Sequence, residues 1–337
     1  MAPRIAINGL GRIGKLLVRA VVDGSLPVDL AVVNDPVGDG EVHAHLLTFD
    51  TVQGRWPTPV STTDRGLKIG GHHARLTHER AIERMPLEDE AIDLAVDCTG
   101  AFKTAGQLAP YLAAGASKVV VSAPVHDPAA VNLVYGVNQD AYAPDRHDIV
   151  TAASCTTNCL APVVKVVHEA LGIRHGTMTT IHDATNSQTL VDRPAKDLRR
   201  ARSAINSLIP TSTGSAKAIG LIYPELDGRL NGHAVRVPLL TGSLTDCVFE
   251  LERTTTAEDV NARFAEAAEG PLNGILGYEP KPLVSSDFCG DPRSAIVDGP
   301  STMVVNGTQL KVYAWYDNEW GYAMRLADVL RHVADRL

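Results

Sequence analysis

The first half of the chain alternates short apolar runs with stretches of helical period. Residues 4–8 (RIAIN) predict a strand, and directly after it Ile13, Leu16, Leu17, Ala20 and Val21 recur as one face of a helix. Residues 29–34, 91–98, 118–122, 132–137 and 148–153 predict further strands, with helical spacing over 104–114. Apolar strands separated by helices predict a parallel sheet covered on its faces. Residues 41–89 carry Pro and Gly and follow neither period clearly.

Residues 152–172, AASCTTNCLAPVVKVVHEALG, pass from an extended run into a helix whose face is Leu160, Val163, Val164, Val167 and Leu171, with Gly172 as its stop. Pro162 fits that helix only in its first turn or at a kink. Beyond it, residues 177–182, 233–238, 245–251, 301–305 and 309–316 predict longer alternating strands with few helices between them. They predict an α+β domain with a mainly antiparallel sheet. Asn306-Gly307 is a hairpin signal, because both residue types tolerate positive φ. Leu326, Val329, Leu330, Val333 and Leu337 predict a terminal helix.

Length and composition fill in this α/β picture. A chain of 337 residues predicts two domains, and 45% hydrophobic with 21% charged residues is an ordinary soluble balance. No apolar run is long enough to span a bilayer, and the N-terminal MAPRIAINGL lacks a signal-peptide pattern, so the expectation is a cytoplasmic protein with no membrane role. Five cysteines, an odd number at irregular spacing, predict free thiols rather than a disulfide framework. Cys155 and Cys159 form a C-x-x-x-C pair with no further ligand at zinc spacing, so no metal is expected. The net charge of −8 argues against nucleic acid as a partner, although residues 196–202 form a local basic run.

Two constellations carry chemistry. Gly9, Gly11 and Gly14 form G-x-G-x-x-G between a predicted strand and a predicted helix, and Asp35 ends the second strand about 20 residues further on, where an acid receives ribose hydroxyls. Together they predict dinucleotide binding. Cys155 stands at or beside a helix N-terminus, where unpaired N–H groups and the helix dipole favour the nucleophilic thiolate. Its neighbours Ser154, Thr156, Thr157 and Asn158 would be a costly way to line an apolar core, whereas Cys159 one turn on is read as structural. Most of the 12 histidines are expected to be surface or satisfied structural residues.

INGLGRIG at 7–14, ASCTTNCLAP at 153–162 and WYDNEWGY at 315–322 closely resemble the phosphorylating glyceraldehyde-3-phosphate dehydrogenases. The resemblance runs the whole length. It implies a Rossmann domain over 1–154, a catalytic domain over 155–317, a terminal helix 318–337 returning to the first domain, and a homotetramer. Cys155 matches the nucleophile and His182, in TTIHDATN, the general base. Thr185 and Arg236, with Arg200 nearby, match one phosphate site; Ser154, Thr156, Thr213 and Gly214 match the other, and Arg236 serves both. Arg12, Ile13, Asp35, Thr99, Ser122, Asn318 and Tyr322 match positions that contact NAD. Asp35 disfavours the 2′-phosphate of NADP, and Pro194 matches the NAD-using pattern. The basic run at 196–202 then belongs to a loop near cofactor and phosphate at a subunit interface. The implied substrates are glyceraldehyde 3-phosphate and inorganic phosphate, joined through a Cys155 thioester.

Departures from the pattern are local. The glycolytic H-A-Y-T-N-D-Q reads H-D-A-T-N-S-Q at 182–188: Asp183 adds a carboxylate, Ala184 removes a ring and Ser187 removes an acid. Asp183 is expected to face solvent, raising the basicity of the imidazole only if it turns inward. This loop, with NDPVGD and AHLLTFDTVQGRW, is similar to a bacterial subgroup linked to arsenate resistance, which implies arsenate as an alternative to phosphate. Erythrose-4-phosphate dehydrogenase is a second enzyme alternative, disfavoured by Thr185 and Thr213-Gly214. A non-catalytic dinucleotide-binding regulator is a third, disfavoured by the intact Cys155 and His182.

Overall fold

The computed structural model describes residues 2–337. The chain divides into two compact units, Met1–Ser154 with Tyr322–Leu337, and Cys155–Gly321. Among the described residues, no helix is long and apolar enough to cross a membrane.

The first unit is built on a nine-stranded sheet in the order Val60–Thr63, Gly66–Ile69, His72–Thr77, Asp29–Asn34, Arg4–Asn8, Leu94–Asp97, Lys118–Val121, Ile149–Thr151, Ala130–Asn132. From His72–Thr77 onward all neighbours are parallel, and the first three strands are antiparallel. Strand order reverses at Arg4–Asn8, so the turn that leaves this strand at Gly9 opens at the switch point where doubly wound sheets bind nucleotides. Ile5, Ile7, Leu30, Val32, Val33, Leu94 and Val96 are buried, which accounts for the continuous apolar runs.

Two expectations are corrected in this unit. The strand expected over 132–137 ends at Asn132, because the Asn138 side chain ties the following residues into a turn, accepting from Val134 N at 2.7 Å and donating to Asn132 O at 3.1 Å. The region 41–89 contains the helix Gly40–Thr48, capped by Asp39 accepting from Val42 N at 2.9 Å, and the three antiparallel strands. These elements are half exposed, so their apolar period is weak.

The second unit has an eight-stranded sheet in the order Ile209–Ser212, Leu230–Arg236, Ile173–His182, Ser243–Leu251, Gln309–Tyr316, Ala295–Asp298, Leu276–Glu279, with Met303–Val305 also on Gln309–Tyr316. Pairing is antiparallel except between Ile173–His182 and Leu230–Arg236 and between Leu276–Glu279 and Ala295–Asp298. The Asn306-Gly307 turn has both φ angles positive, 53° and 76°, and closes the hairpin expected there. Helices Ser215–Ile222 and Ala257–Glu269 add to the few helices expected between the strands. The second is capped by Thr256 and buries Val260, Phe264 and Ala267 beneath charged neighbours that weaken its pattern.

The helix Cys155–Leu171 packs on this sheet and begins at Cys155 itself, earlier than its apolar face suggests. Pro162 therefore lies in the helix interior rather than in its first turn, where it cannot donate back to the Asn158 carbonyl. The terminal helix Trp320–Ala334 likewise starts ahead of its apolar stripe.

Candidate active site

The nucleotide turn is shaped by three glycines with three different reasons. Gly9 has φ +96°, and a Cβ there would stand 2.8 Å from Cys98 C and Thr99 N. A Cβ on Gly14 would lie 1.9 Å from Gly9 O, so helix and strand pack backbone to backbone only because residue 14 has no side chain. Nothing lies within 4 Å of a Cβ built on Gly11, which leaves a ligand free to approach the backbone at the start of the helix Arg12–Ala20. Asp35 accepts from Leu10 N at 2.8 Å and from Val37 N at 3.0 Å, so it fixes the turn while its remaining lone pairs can take hydroxyls. Arg12 pairs with Asp50, and burial of that carboxyl is outweighed by Arg12 and the N–H groups of Gln53 and Val52, which hold it below its ordinary range. Ile13 is half-buried on the same helix. Thr99 Oγ1 donates to Asp97 at 3.0 Å, and Ser122 N donates to Asp97 O at 2.9 Å. These features fit an anionic dinucleotide.

In the second unit, Cys155 opens its helix half-buried, and its Sγ lies 3.5 Å from His182 Nε2. His182 ends the strand Ile173–His182, whose parallel register sets it beside Arg236. Arg236 Nη1 is 2.7 Å from His182 Nδ1 and donates to Asp183 O at 3.0 Å, while its Nε is buried without a hydrogen-bond partner among the described residues. Cys155, His182 and Arg236 are thus brought together as the sequence motifs imply.

Asp183 does not face solvent. It is 1% exposed, and its Oδ1 lies 2.6 Å from His182 Nδ1. Asn318 Nδ2 donates to its Oδ2 at 2.8 Å, and Asp183 N donates to Ser243 Oγ at 3.2 Å. The expected exposure fails because the strand ends at His182 and its alternation stops there. Burial pushes the imidazole down, but Asp183 and the Cys155 sulfur outweigh it and hold His182 up at about 9. Burial pushes the Cys155 thiol up, yet the hydrogen bond and charge of His182, with Arg236 assisting and Asp183 opposing, bring it below its ordinary value.

The remaining predicted residues are placed as follows. Thr156 is buried, and its Oγ1 shares a hydrogen bond of 2.9 Å with the buried Tyr316 hydroxyl and lies 4.0 Å from Cys155 Sγ. Thr185 Oγ1 lies 3.0 Å from Ser187 Oγ and donates to Gln188 Oε1 at 3.1 Å. Arg200 Nε donates to Thr211 Oγ1 at 2.9 Å, on the strand whose Ile209 is in register with Arg236. Thr213 accepts from Ser215 N at 3.2 Å, and Gly214 caps the helix Ser215–Ile222. Tyr322 donates to Ala153 O at 3.0 Å; Ala153 has φ 51°, so this bond braces the turn into Ser154. The Asn318 side chain is committed to Asp183 and to Ser243, which donates to its Oδ1 at 2.9 Å. Asp183, Ser243 and Tyr316 were not expected at the site; the one sequence signal among them was the unusual carboxylate after the histidine.

Residues 3–105 match the family described as "Glyceraldehyde 3-phosphate dehydrogenase, NAD binding domain", and residues 154–318 the family described as "Glyceraldehyde 3-phosphate dehydrogenase, C-terminal domain". The chain is similar to glyceraldehyde-3-phosphate dehydrogenase 3 of Nostoc sp., with 54% identity covering 99% of each chain. It is 46% identical to glyceraldehyde-3-phosphate dehydrogenase of Geobacillus stearothermophilus over 100% of this chain and 99% of the relative. It is 45% identical to glyceraldehyde-3-phosphate dehydrogenase 1 of Bacillus subtilis over the same shares.

The opposite directions of the thiol shifts give a test. Cys155 is lowered, whereas burial raises Cys98, Cys159, Cys247 and Cys289. Iodoacetamide at pH 6–7 should therefore label Cys155 first by about tenfold or more. His182→Asn should move its alkylation profile up toward the ordinary thiol range. Peptide mapping that found Cys289 or Cys159 labelled first would contradict this site.

Proposed function

The chain belongs to the glyceraldehyde-3-phosphate dehydrogenase family, and on that premise we propose that Cys155 and His182 carry out its oxidation of glyceraldehyde 3-phosphate. The protein is an NAD-dependent oxidoreductase. The observation that supports these roles is the 3.5 Å approach of the imidazole to a sulfur at a helix N-terminus.

The Cys155 thiolate adds to the aldehyde carbon, and the carbonyl pair moves to oxygen, which takes the proton from His182 Nε2. That hydroxyl proton returns to His182 as the carbon is oxidised to the thioester. The Gly9–Gly11–Gly14 turn, Arg12, Ile13, Asp35, Thr99 and Ser122 would hold NAD, which when bound accepts the hydride. An oxygen of inorganic phosphate then attacks the thioester carbon, the sulfur leaves as thiolate, and an acyl phosphate is released. Arg236, with its unpartnered Nε, and the backbone around Ser154, Thr156, Thr213 and Gly214 supply donors for tetrahedral anions, together with Thr185 and Arg200.

Cys155→Ser should abolish turnover while NAD binding persists, because a serine hydroxyl is far less ionised. His182→Asn should slow the hydride-transfer burst by about two to four orders of magnitude. Wild-type turnover in Cys155→Ser would remove the thioester route.

Arsenate is the further acceptor we propose. It is supported by donors that read the shape and charge of a tetrahedral anion rather than its central atom, and by the subgroup motifs at 182–189 and 34–56. The ratio of kcat/KM for phosphate and arsenate should lie within about tenfold, or roughly 1.4 kcal/mol. A larger preference for phosphate would rule it out.

We also assign the protein to the cytoplasm, supported by five free cysteines, and to a homotetramer, supported by the exposed Leu190, Val191, Leu198, Ile205 and Leu208 along one segment. Sedimentation at micromolar protein should give the mass of four chains, and a monomer would refute the assembly.

A further inference from the structure

We infer that Asp183 is a positioning residue for this reaction: its buried carboxylate accepts from His182 Nδ1–H, holds the imidazole charged and aims Nε2–H at the Cys155 sulfur. The inference rests on the roles proposed for Cys155 and His182 and goes one residue beyond them.

Three observations carry it. First, the carboxylate is 1% exposed, and its ion-pair partner is His182, with Oδ1 to Nδ1 at 2.6 Å. A buried carboxylate without a charged partner costs several kcal/mol, so the pair favours imidazolium over neutral imidazole. Second, Asp183 is held by neutral groups at two points: Asn318 Nδ2 donates to Oδ2 at 2.8 Å, and its own N–H donates to Ser243 Oγ at 3.2 Å. Its direction is therefore set by the second unit's own elements rather than by a mobile side chain. Third, the carboxylate lies on the opposite side of the imidazole from the sulfur, since it engages Nδ1 while Cys155 engages Nε2. One ring thus transmits charge between two groups that do not touch.

Arg236 competes for Nδ1, because its Nη1 stands at 2.7 Å. A guanidinium has no acceptor, so it can bond Nδ1 only when that nitrogen carries no proton. Arg236 has the Asp183 carbonyl to donate to at 3.0 Å, whereas among the described residues the imidazole is the ion-pair partner of the Asp183 carboxylate. The proton therefore belongs on Nδ1. The charged or titratable groups around the ring are Cys155 from the helix start, Asp183, Arg236 from the neighbouring strand, and Tyr316, whose ring centroid is 6.0 Å away. Burial and the Cys155 charge push the Tyr316 hydroxyl well up, so it stays neutral through the working range.

The test uses the full-length enzyme labelled with 15N-histidine, with the His182 signals assigned by their loss in His182→Asn. At pH 7 the wild type should show Nδ1 protonated, and an unprotonated Nδ1 would overturn the inference without any Asp183 variant having to fold. In Asp183→Asn the pH at which His182 loses its proton should fall by about one unit or more, a tenfold change in proton affinity. The hydride-transfer burst at pH 7 should fall about tenfold with KM for NAD within about twofold, which separates positioning from a collapsed site. An unmoved His182 titration in folded Asp183→Asn overturns the inference. An undiminished burst in His182→Asn instead overturns the underlying assignment of the base, so the two failures are distinguishable.

Discussion

Burial forces the charges around His182 to be shared. A carboxylate, an imidazole and a thiol lie in sequence within one unit, Asp183 to His182 at 2.6 Å and His182 to Cys155 at 3.5 Å. None of the three is stable as an isolated ion in that setting. Proton transfer from sulfur to nitrogen, with the carboxylate behind, turns three costly groups into a chain in which each charge has a neighbour. The helix N-terminus at Cys155 contributes at the sulfur end, where the negative charge comes to rest. Strand register does the rest, because the parallel pairing of His182 with Arg236 places a permanent cation beside the ring. That cation opposes protonation of the imidazole, so Asp183 is needed to outweigh it as well as the desolvation.

The nucleotide unit depends on a different constraint, close approach of backbone to backbone. Gly14 allows helix and strand to touch, Gly9 allows the turn, and Gly11 leaves its backbone open. Asp35 braces the turn through Leu10 N, which fixes a carboxylate at the end of the second strand. The two units thus rest on separate constraints, close backbone approach in one and shared charge around a lowered thiol in the other.

Much of this was legible in the sequence, for identifiable reasons. Parallel strands buried on both faces leave continuous apolar runs, and residues 4–8 and 29–34 were readable to the residue. The strand–glycine–helix arrangement and the cysteine at a helix start are local, so their function follows from order along the chain. Elements with one wet face were harder: Gly40–Thr48 and the three strands after it carry too few buried positions to set a period. The turn after Asn132 was hidden because Val134 and Val137 are as apolar as strand residues, while the Asn138 side chain that bends them lies beyond the run. Thr156 was legible as a polar neighbour of Cys155, but its bond to Tyr316 comes from far along the chain.

Asp183 shows most clearly where pattern reading stops. Along Ile173–His182 buried and less buried residues alternate near the strand's end, and an extrapolated period would send residue 183 to the side opposite His182. The ladder ends at His182. Past it, Asp183 N donates to Ser243 Oγ and Ala184 N to Leu239 O, so the chain leaves the strand direction at that step. Consecutive side chains can then reach the same pocket, which a continuing strand would forbid. The same step explains why a carboxylate is tolerated there. Ser243, from the neighbouring strand, donates to Asn318 Oδ1 at 2.9 Å and so orients that amide, whose Nδ2 donates to the carboxylate at 2.8 Å. A small polar nest at a strand end thus lets one acidic residue act on the charge of the histidine beside it, and through the ring on a sulfur it never touches.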